Sequence, residues 1–157
     1  MFTGDANEWT EERFCELFEL GLYNEEDFNV DVLKVAHHGS HEACTVPFLE
    51  IVDPEYAVIQ VGEGNSYDHP RDVTLKRLAA DDSGEELKFS NYDGATVYRN
   101  DLHGDIVLTL RAGENGEVEM IFDLEKGETD PVNTMWVYED SARQFAFVRK
   151  ESFAFAA

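Results

Sequence analysis

Three short segments hold residues whose types and spacing suit them to chemistry, and each follows an apolar run. Thr3-Gly4-Asp5 places a carboxylate directly after a glycine that permits a tight turn. A carboxylate just past a strand end is well placed to ligate a metal, although a plain turn or helix cap uses the same pair. Lys34-Val35-Ala36-His37-His38-Gly39-Ser40 ends a strand-like run in two adjacent histidines. Their side chains must diverge, so both cannot be core residues. Imidazole suits zinc- and manganese-type sites, and Gly39 lets the backbone turn close to a ligand. A metal and a phosphate both remain open as that ligand. Asn65-Ser66-Tyr67-Asp68-His69-Pro70 precedes a helix beginning at Arg71, where free N–H groups favour anions. A capped loop with a buried tyrosine is the alternative. His41 reads as a helix-flanking surface residue, and His103 as part of a hairpin turn without function.

The elements that must position these loops alternate along the first half of the chain. Residues 1–5 read as a strand end running into a turn. Asn7 to Leu20 has helical spacing of Trp9, Phe14, Leu17, Phe18 and Leu20, with Glu8, Glu11 and Glu12 in its first turn. Val30 to Ala36 and Tyr56 to Val61 are short apolar runs of the buried-strand kind, expected to lie side by side. Thr45 to Val52, with Pro47 near its first turn, and Arg71 to Ala80 read as helices. Beyond Asp81 the pattern changes to strands at Glu86–Ser90, Ala95–Arg99, Asp105–Arg111 and Val118–Leu124. Asp93-Gly94, His103-Gly104 and Asn115-Gly116 are the turns between them. The expected class is α/β with a mixed sheet. Residues 1–112 would form the main unit, and 113–157 would add strands and an apolar tail. That tail carries Trp136, Val137, Phe145, Phe147, Phe153 and Phe155, and should pack on the domain or on a partner.

Composition sets bounds on function. The 157 residues include 34 acidic and 12 basic side chains, a net charge of −22, yet 43% are hydrophobic. A core is therefore affordable and intrinsic disorder is excluded as the main state. No apolar run approaches the ~20 residues of a membrane span. The start Met1-Phe2-Thr3-Gly4-Asp5 has neither a basic region nor an apolar signal core, so the expected location is cytoplasmic. Cys15 and Cys44 have no paired spacing and read as buried free thiols in a reducing compartment. The charge fits either a salt-adapted host or an ordinary acidic protein. A nucleic-acid polyanion would be repelled by such a surface, because affinity for it normally comes from Lys and Arg.

The order of the loops, TGDA, then DVLKVAHHGS, then VGEGN and YDHP, then TVYRNDLHGDIVLTL, resembles one family. It is similar to the C-terminal half of a metallo-β-lactamase-fold hydrolase, of the kind found in ComEC-type DNA-uptake proteins, over roughly residues 1–111. The resemblance implies half of an αββα sandwich and metal-dependent hydrolysis, often of phosphodiesters. It implies Asp5 and His38 as ligands of zinc or manganese. His37 and His69 become catalytic or substrate-contacting groups, and Asn65 and Tyr67 face the substrate. Lys34 is expected to point away from the metal loop.

The departure from the family pattern matters as much. The primary metal motif of that superfamily, HxHxDH, occurs nowhere in these 157 residues. The expectation is then a half-domain that pairs with a partner carrying HxHxDH and reaches a phosphodiester or nucleic-acid substrate only with it. The alternative is a non-catalytic half or truncated fragment that acts as a binding or interaction module.

Overall fold

A computed structural model describes residues 1–24, 27–81, 87–112 and 118–126, and the backbone of two further strands, 134–139 and 144–149. The expected turn at Asn115-Gly116 and the tail residues Phe153 and Phe155 lie outside the described residues.

Helix α1 (Glu8–Glu19) begins where the sequence requires, because Asn7 accepts the N–H of Thr10 through its side chain. β1 (Val32–Lys34) and β2 (Tyr56–Ile59) flank α2 (Val46–Val52), which carries proline in its first turn. α3 (Asp72–Leu78) leads to β3 (Thr96–Arg99). The three strands form one sheet in the order β1-β2-β3, parallel throughout, with Leu33 opposite Ala57 and Ala57 opposite Val97. An isolated parallel bridge from Phe2 to Lys34 extends its edge, and Lys34 N–H donates to the Met1 carbonyl at 2.9 Å.

The mixed sheet expected from sequence is thus corrected. Successive strands of this sheet are joined by crossovers long enough to return the chain in the same direction, so the sheet is purely parallel. The antiparallel pairing is separate: β4 (Ile106–Ala112) pairs with β5 (Val118–Leu124), and β6 (Thr134–Glu139) pairs with β7 (Gln144–Arg149). No strand forms over 87–90 either. Phe89 leaves the extended pattern to pack against Tyr92 at the edge of the core. His103 closes a four-residue helix, α4 (Asn100–His103), rather than a hairpin turn.

Alternation decides what each sheet face meets. Leu33, Ala57, Ile59 and Val97 face the helices and are buried with Phe48, Leu49 and Val52 of α2 and Leu75 and Leu78 of α3. Truncating a side chain such as Leu33 or Leu49 here would cost about 2–5 kcal/mol. The opposite face carries Val32, Lys34, Tyr56, Val58 and Tyr98. Phe122 of β5 covers part of it, with ring centroids 4.8 Å from Tyr56 and 4.5 Å from Tyr98. Val32, Lys34, Tyr56 and Val58 remain half-buried. Trp9 and Leu20, expected on the apolar stripe of α1, are instead exposed, because α1 meets α2 mainly through Phe14. No helix among the described residues is long and apolar enough to cross a membrane.

Glu11 is the least expected core residue. Only 1% of it is exposed, and its two carboxylate oxygens accept the N–H groups of Cys44 (2.8 Å) and Thr45 (2.7 Å), immediately before α2. A first-turn glutamate that seemed to serve only its own helix therefore ties α1 to the start of α2. Glu11→Ala leaves two buried donors unpaired and should cost about 2–4 kcal/mol in a denaturant titration. Burial pushes the Glu11 carboxyl above its usual range, and the two N–H groups and Arg77 offset this only in part. The folded state therefore holds this proton to higher pH than the unfolded chain. The stability it contributes is complete below the ordinary carboxylate pKa and is lost as pH rises through the folded value. Glu11→Gln should remove that loss, so its stability relative to the parent should rise as pH climbs from the ordinary carboxylate range through the folded value. A pH-independent difference would contradict the assignment.

Both thiols are free, as expected: Cys44 is buried and Cys15 half-buried. Burial pushes Cys15 up to about 11 and Cys44 up to about 12, so neither is a thiolate near neutrality.

Candidate functional site

Parallel strands deliver their following loops to one edge, the usual place for ligands in open α/β sheets. The Gly4-Asp5 turn, the His37-His38 turn after β1, the 62–70 loop after β2 and the Arg99–His103 segment after β3 all leave from carboxyl ends of this sheet. The first two are joined directly, because His37 N–H donates to the Gly4 carbonyl at 2.9 Å. The second and third meet through their rings: His37 and His69 are 5.8 Å apart, edge to face, and Tyr67 stacks on His69 at 5.8 Å.

The His-His turn is held in a demanding conformation. His37 (φ 43°), His38 (φ 55°) and Gly39 (φ 80°) are three successive residues at positive φ. Such conformations cost free energy for side-chain-bearing residues and persist only where the surroundings enforce them. Gly39 packs so closely on Pro70 that a Cβ there would lie 2.6 Å from that ring, and its carbonyl accepts the N–H of Arg71 at 2.8 Å. Thr74 Oγ1 donates to the Ser40 carbonyl at 2.6 Å. The start of α3 thus clamps the turn from below.

His38 is oriented by one contact. Its Nδ1 lies 2.6 Å from the Gln60 carbonyl, which can only accept. Nδ1 therefore carries the proton and Nε2 keeps the lone pair, the arrangement that a carbonyl behind the ring imposes on metal-ligating histidines. Asp5 is exposed in its turn. The Asp5 charge acts on the Lys34 ammonium group. Its Nζ donates to the Val35 carbonyl at 2.6 Å, and burial pulls its pKa down. His69 is held toward its neutral form first by burial and then by the neighbouring His37. Among the described residues no three His, Cys, Asp or Glu side chains gather into a metal-binding group. Asp5 and His38 are donors of the right chemistry, but they do not make a closed set for a divalent ion.

Asn65 works inside its own loop. Its Nδ2 donates to the carbonyls of Gly62 (3.0 Å) and His69 (2.7 Å), and its Oδ1 accepts the N–H groups of Tyr67 (3.2 Å) and His69 (3.0 Å). With every donor and acceptor engaged, it fixes the position of Tyr67 and His69. Tyr67 is 71% exposed rather than buried. His41 is exposed as expected, 3.7 Å from the Glu42 carboxylate.

Beside this loop lies a cleft of about 380 Å³ whose walls include Asn65, His69, Arg71, Arg99 and Asp101. Sequence reasoning passed over the last three of these. Arg99 is 3% exposed and grips Asp101 with Nε (3.1 Å) and Nη2 (2.6 Å), while Asn100 Oδ1 accepts the N–H of Val61 at 2.6 Å. The signal available was positional: a strand parallel to the other two must also deliver its next residues, here Arg-Asn-Asp, to the same edge.

The chain is 31% identical over 113 residues to the competence protein ComA of Neisseria gonorrhoeae, covering 72% of this chain and 14% of that protein. It is similar to a competence protein. A second relative, the ComE operon protein 3 of Bacillus subtilis (strain 168), is 32% identical over 78 residues, half of this chain and 9% of its own length. The chain thus spans only a small part of both curated relatives. No family model matches it, and neither does any solved structure.

Proposed function

We propose that this chain supplies one side of a divalent-metal phosphodiester hydrolase site, in a role related to DNA uptake, and that a partner carrying HxHxDH supplies the other side. The observation that carries this reading is the convergence of the Gly4-Asp5 turn, the His37-His38 turn and the His69 loop at one sheet edge, with His38 Nε2 left as the lone-pair donor. The likeness to a competence protein and to a ComE operon protein supports the DNA-uptake setting. The half-covered sheet face at Val32, Tyr56 and Val58 supports a further layer, as in an αββα sandwich, because a second sheet would bury it.

In this reading Asp5 and His38 hold zinc or manganese together with residues of the partner. The metal, when bound, activates water and offsets charge on phosphoryl oxygens. The residues of this chain do the rest. The Gln60 carbonyl holds His38 in one tautomer, and His37 stands between the Asp5 turn and His69. Neutral His69 can take a proton from the attacking water, and the imidazolium so formed can give it to the leaving oxygen. Asn65 keeps that ring and Tyr67 in place for substrate. The test is reconstitution: hydrolysis of a simple phosphodiester by the chain alone, by the HxHxDH partner alone, and by both. Turnover only in the mixture supports the reading, and turnover by the chain alone contradicts it.

A further inference from the structure

Tyr67 is the one Phe, Tyr or Trp ring at the candidate site that the fold among the described residues leaves standing in solvent. One of its faces stacks on His69, at 5.8 Å and 25° between planes, yet 71% of the residue is exposed. The loop beneath it is pinned, because Tyr67 N–H and His69 N–H both donate to Asn65 Oδ1. An exposed ring on a fixed loop loses little conformational entropy when another flat ring covers it. The cleft beside it sets the carboxylates of Asp68, Asp72 and Asp101 against the guanidinium groups of Arg71 and Arg99. Arg99 is bidentate to Asp101, Arg71 has the Asp68 carboxylate at 3.9 Å, and Asp72 adds a further negative charge. A ligand that enters must therefore gain its affinity from something other than phosphate neutralisation.

We infer that Tyr67, backed by His69, is a stacking platform for an unpaired nucleobase, so that the site takes single-stranded rather than duplex nucleic acid. The inference rests on the phosphodiester reading for its setting and names the substrate class of that same site. Stacking on an aromatic side chain tolerates any base and needs no positive groove. In a duplex the base faces are already covered by their neighbours, and Tyr67 would find no partner. Salt then acts with a sign opposite to the usual one. Ordinary nucleic-acid binding weakens with salt as released counterions accumulate, whereas a surface at −22 repels the strand and salt relieves that repulsion.

The test is a titration of the full chain without metal, followed by the ring signals of Tyr67 and His69 in NMR. The probes are deoxyadenosine monophosphate, ribose 5-phosphate, a short deoxyadenosine oligomer and a closed circular duplex, which has no terminal base pair. The nucleotide and the oligomer should shift both rings, while the sugar phosphate and the duplex should not. Affinity for the oligomer should hold or rise from 0.1 to 1 M KCl. Tyr67→Ala should weaken it about 5- to 150-fold, the range that stacking energies imply, and Tyr67→Trp should preserve it. Equal binding of ribose 5-phosphate, equal binding of duplex, or an unchanged affinity in Tyr67→Ala would overturn the inference. Ring shifts without hydrolysis in the reconstituted mixture would leave stacking intact and refute the hydrolase reading. Hydrolysis without ring shifts would do the reverse.

Discussion

In a mixture of this chain with a polypeptide carrying HxHxDH, Asp5→Ala and His38→Ala should each lower phosphodiester hydrolysis by at least about a hundredfold. The magnitude follows from what a ligand does for a metal. Loss of groups that merely orient ligands typically costs 10–100-fold in affinity or activity, and loss of a ligand itself costs no less. His38 is the more informative of the two. Its Nδ1 is committed to the Gln60 carbonyl, so the only atom the substitution takes from a metal is Nε2. His41→Ala is the control: three residues along the chain, exposed and beside Glu42, it should leave the rate within a factor of two. Equal loss in His41→Ala would mean that the substitutions disturb the turn rather than a metal. The chain alone should give no turnover above blank, because in the proposed site the HxHxDH partner supplies the remaining ligands.

The second large effect is structural. Gly39→Ala should destabilise the chain by about 2–5 kcal/mol. Its φ of 80° disfavours an L side chain by roughly 1–2 kcal/mol. The new methyl would also lie 2.6 Å from Pro70 Cβ and 3.1 Å from its Cα, overpacking that costs about 1–3 kcal/mol more. In a domain of this size that lowers the melting temperature by roughly 4–20 °C. Gly62→Ala, on the loop after β2 with nothing within 4 Å of the added atom, should change stability by no more than about 0.5 kcal/mol. The pair separates a steric requirement at Gly39 from a general sensitivity of the site loops. A loss below about 1 kcal/mol at Gly39 would show that Pro70 yields easily and that the clamp on the His-His turn is loose.

The three chemical loops were legible in sequence for a physical reason. Apolar strand runs followed by helical crossovers must place their exits at one edge, so polar residues just after each run are neighbours before any coordinates are known. α1 was legible too, because spacing and an Asn cap are local properties. What sequence could not show was tertiary. Glu11 reads as a solvated first-turn acid until α2 arrives, and then its carboxylate binds N–H groups more than thirty residues away. Asn65 and Tyr67 looked equivalent as substrate contacts. Coordinates divide them into a loop organiser with every polar atom used and a ring left open to solvent. His103 seemed to mark a hairpin because a glycine follows it, yet its Nδ1 accepts the N–H of Arg99 and helps close α4.

The most direct measurement of the central claim is the broadening of NMR signals by substoichiometric Mn²⁺ added to the full chain. A paramagnetic ion acts only on nuclei close to it, so it maps where the metal resides without requiring turnover. If the strand-end loops form one side of a metal site, the Asp5 amide and the His38 ring should broaden first, with His37 and His69 next. Trp9, in a groove of α1 among Glu8, Glu12, Glu16 and Glu19, should stay sharp at the same Mn²⁺ concentration. Simultaneous broadening of Trp9 and His38 would mean that the ion is attracted diffusely to a surface of charge −22, and that Asp5 and His38 form no part of a metal site.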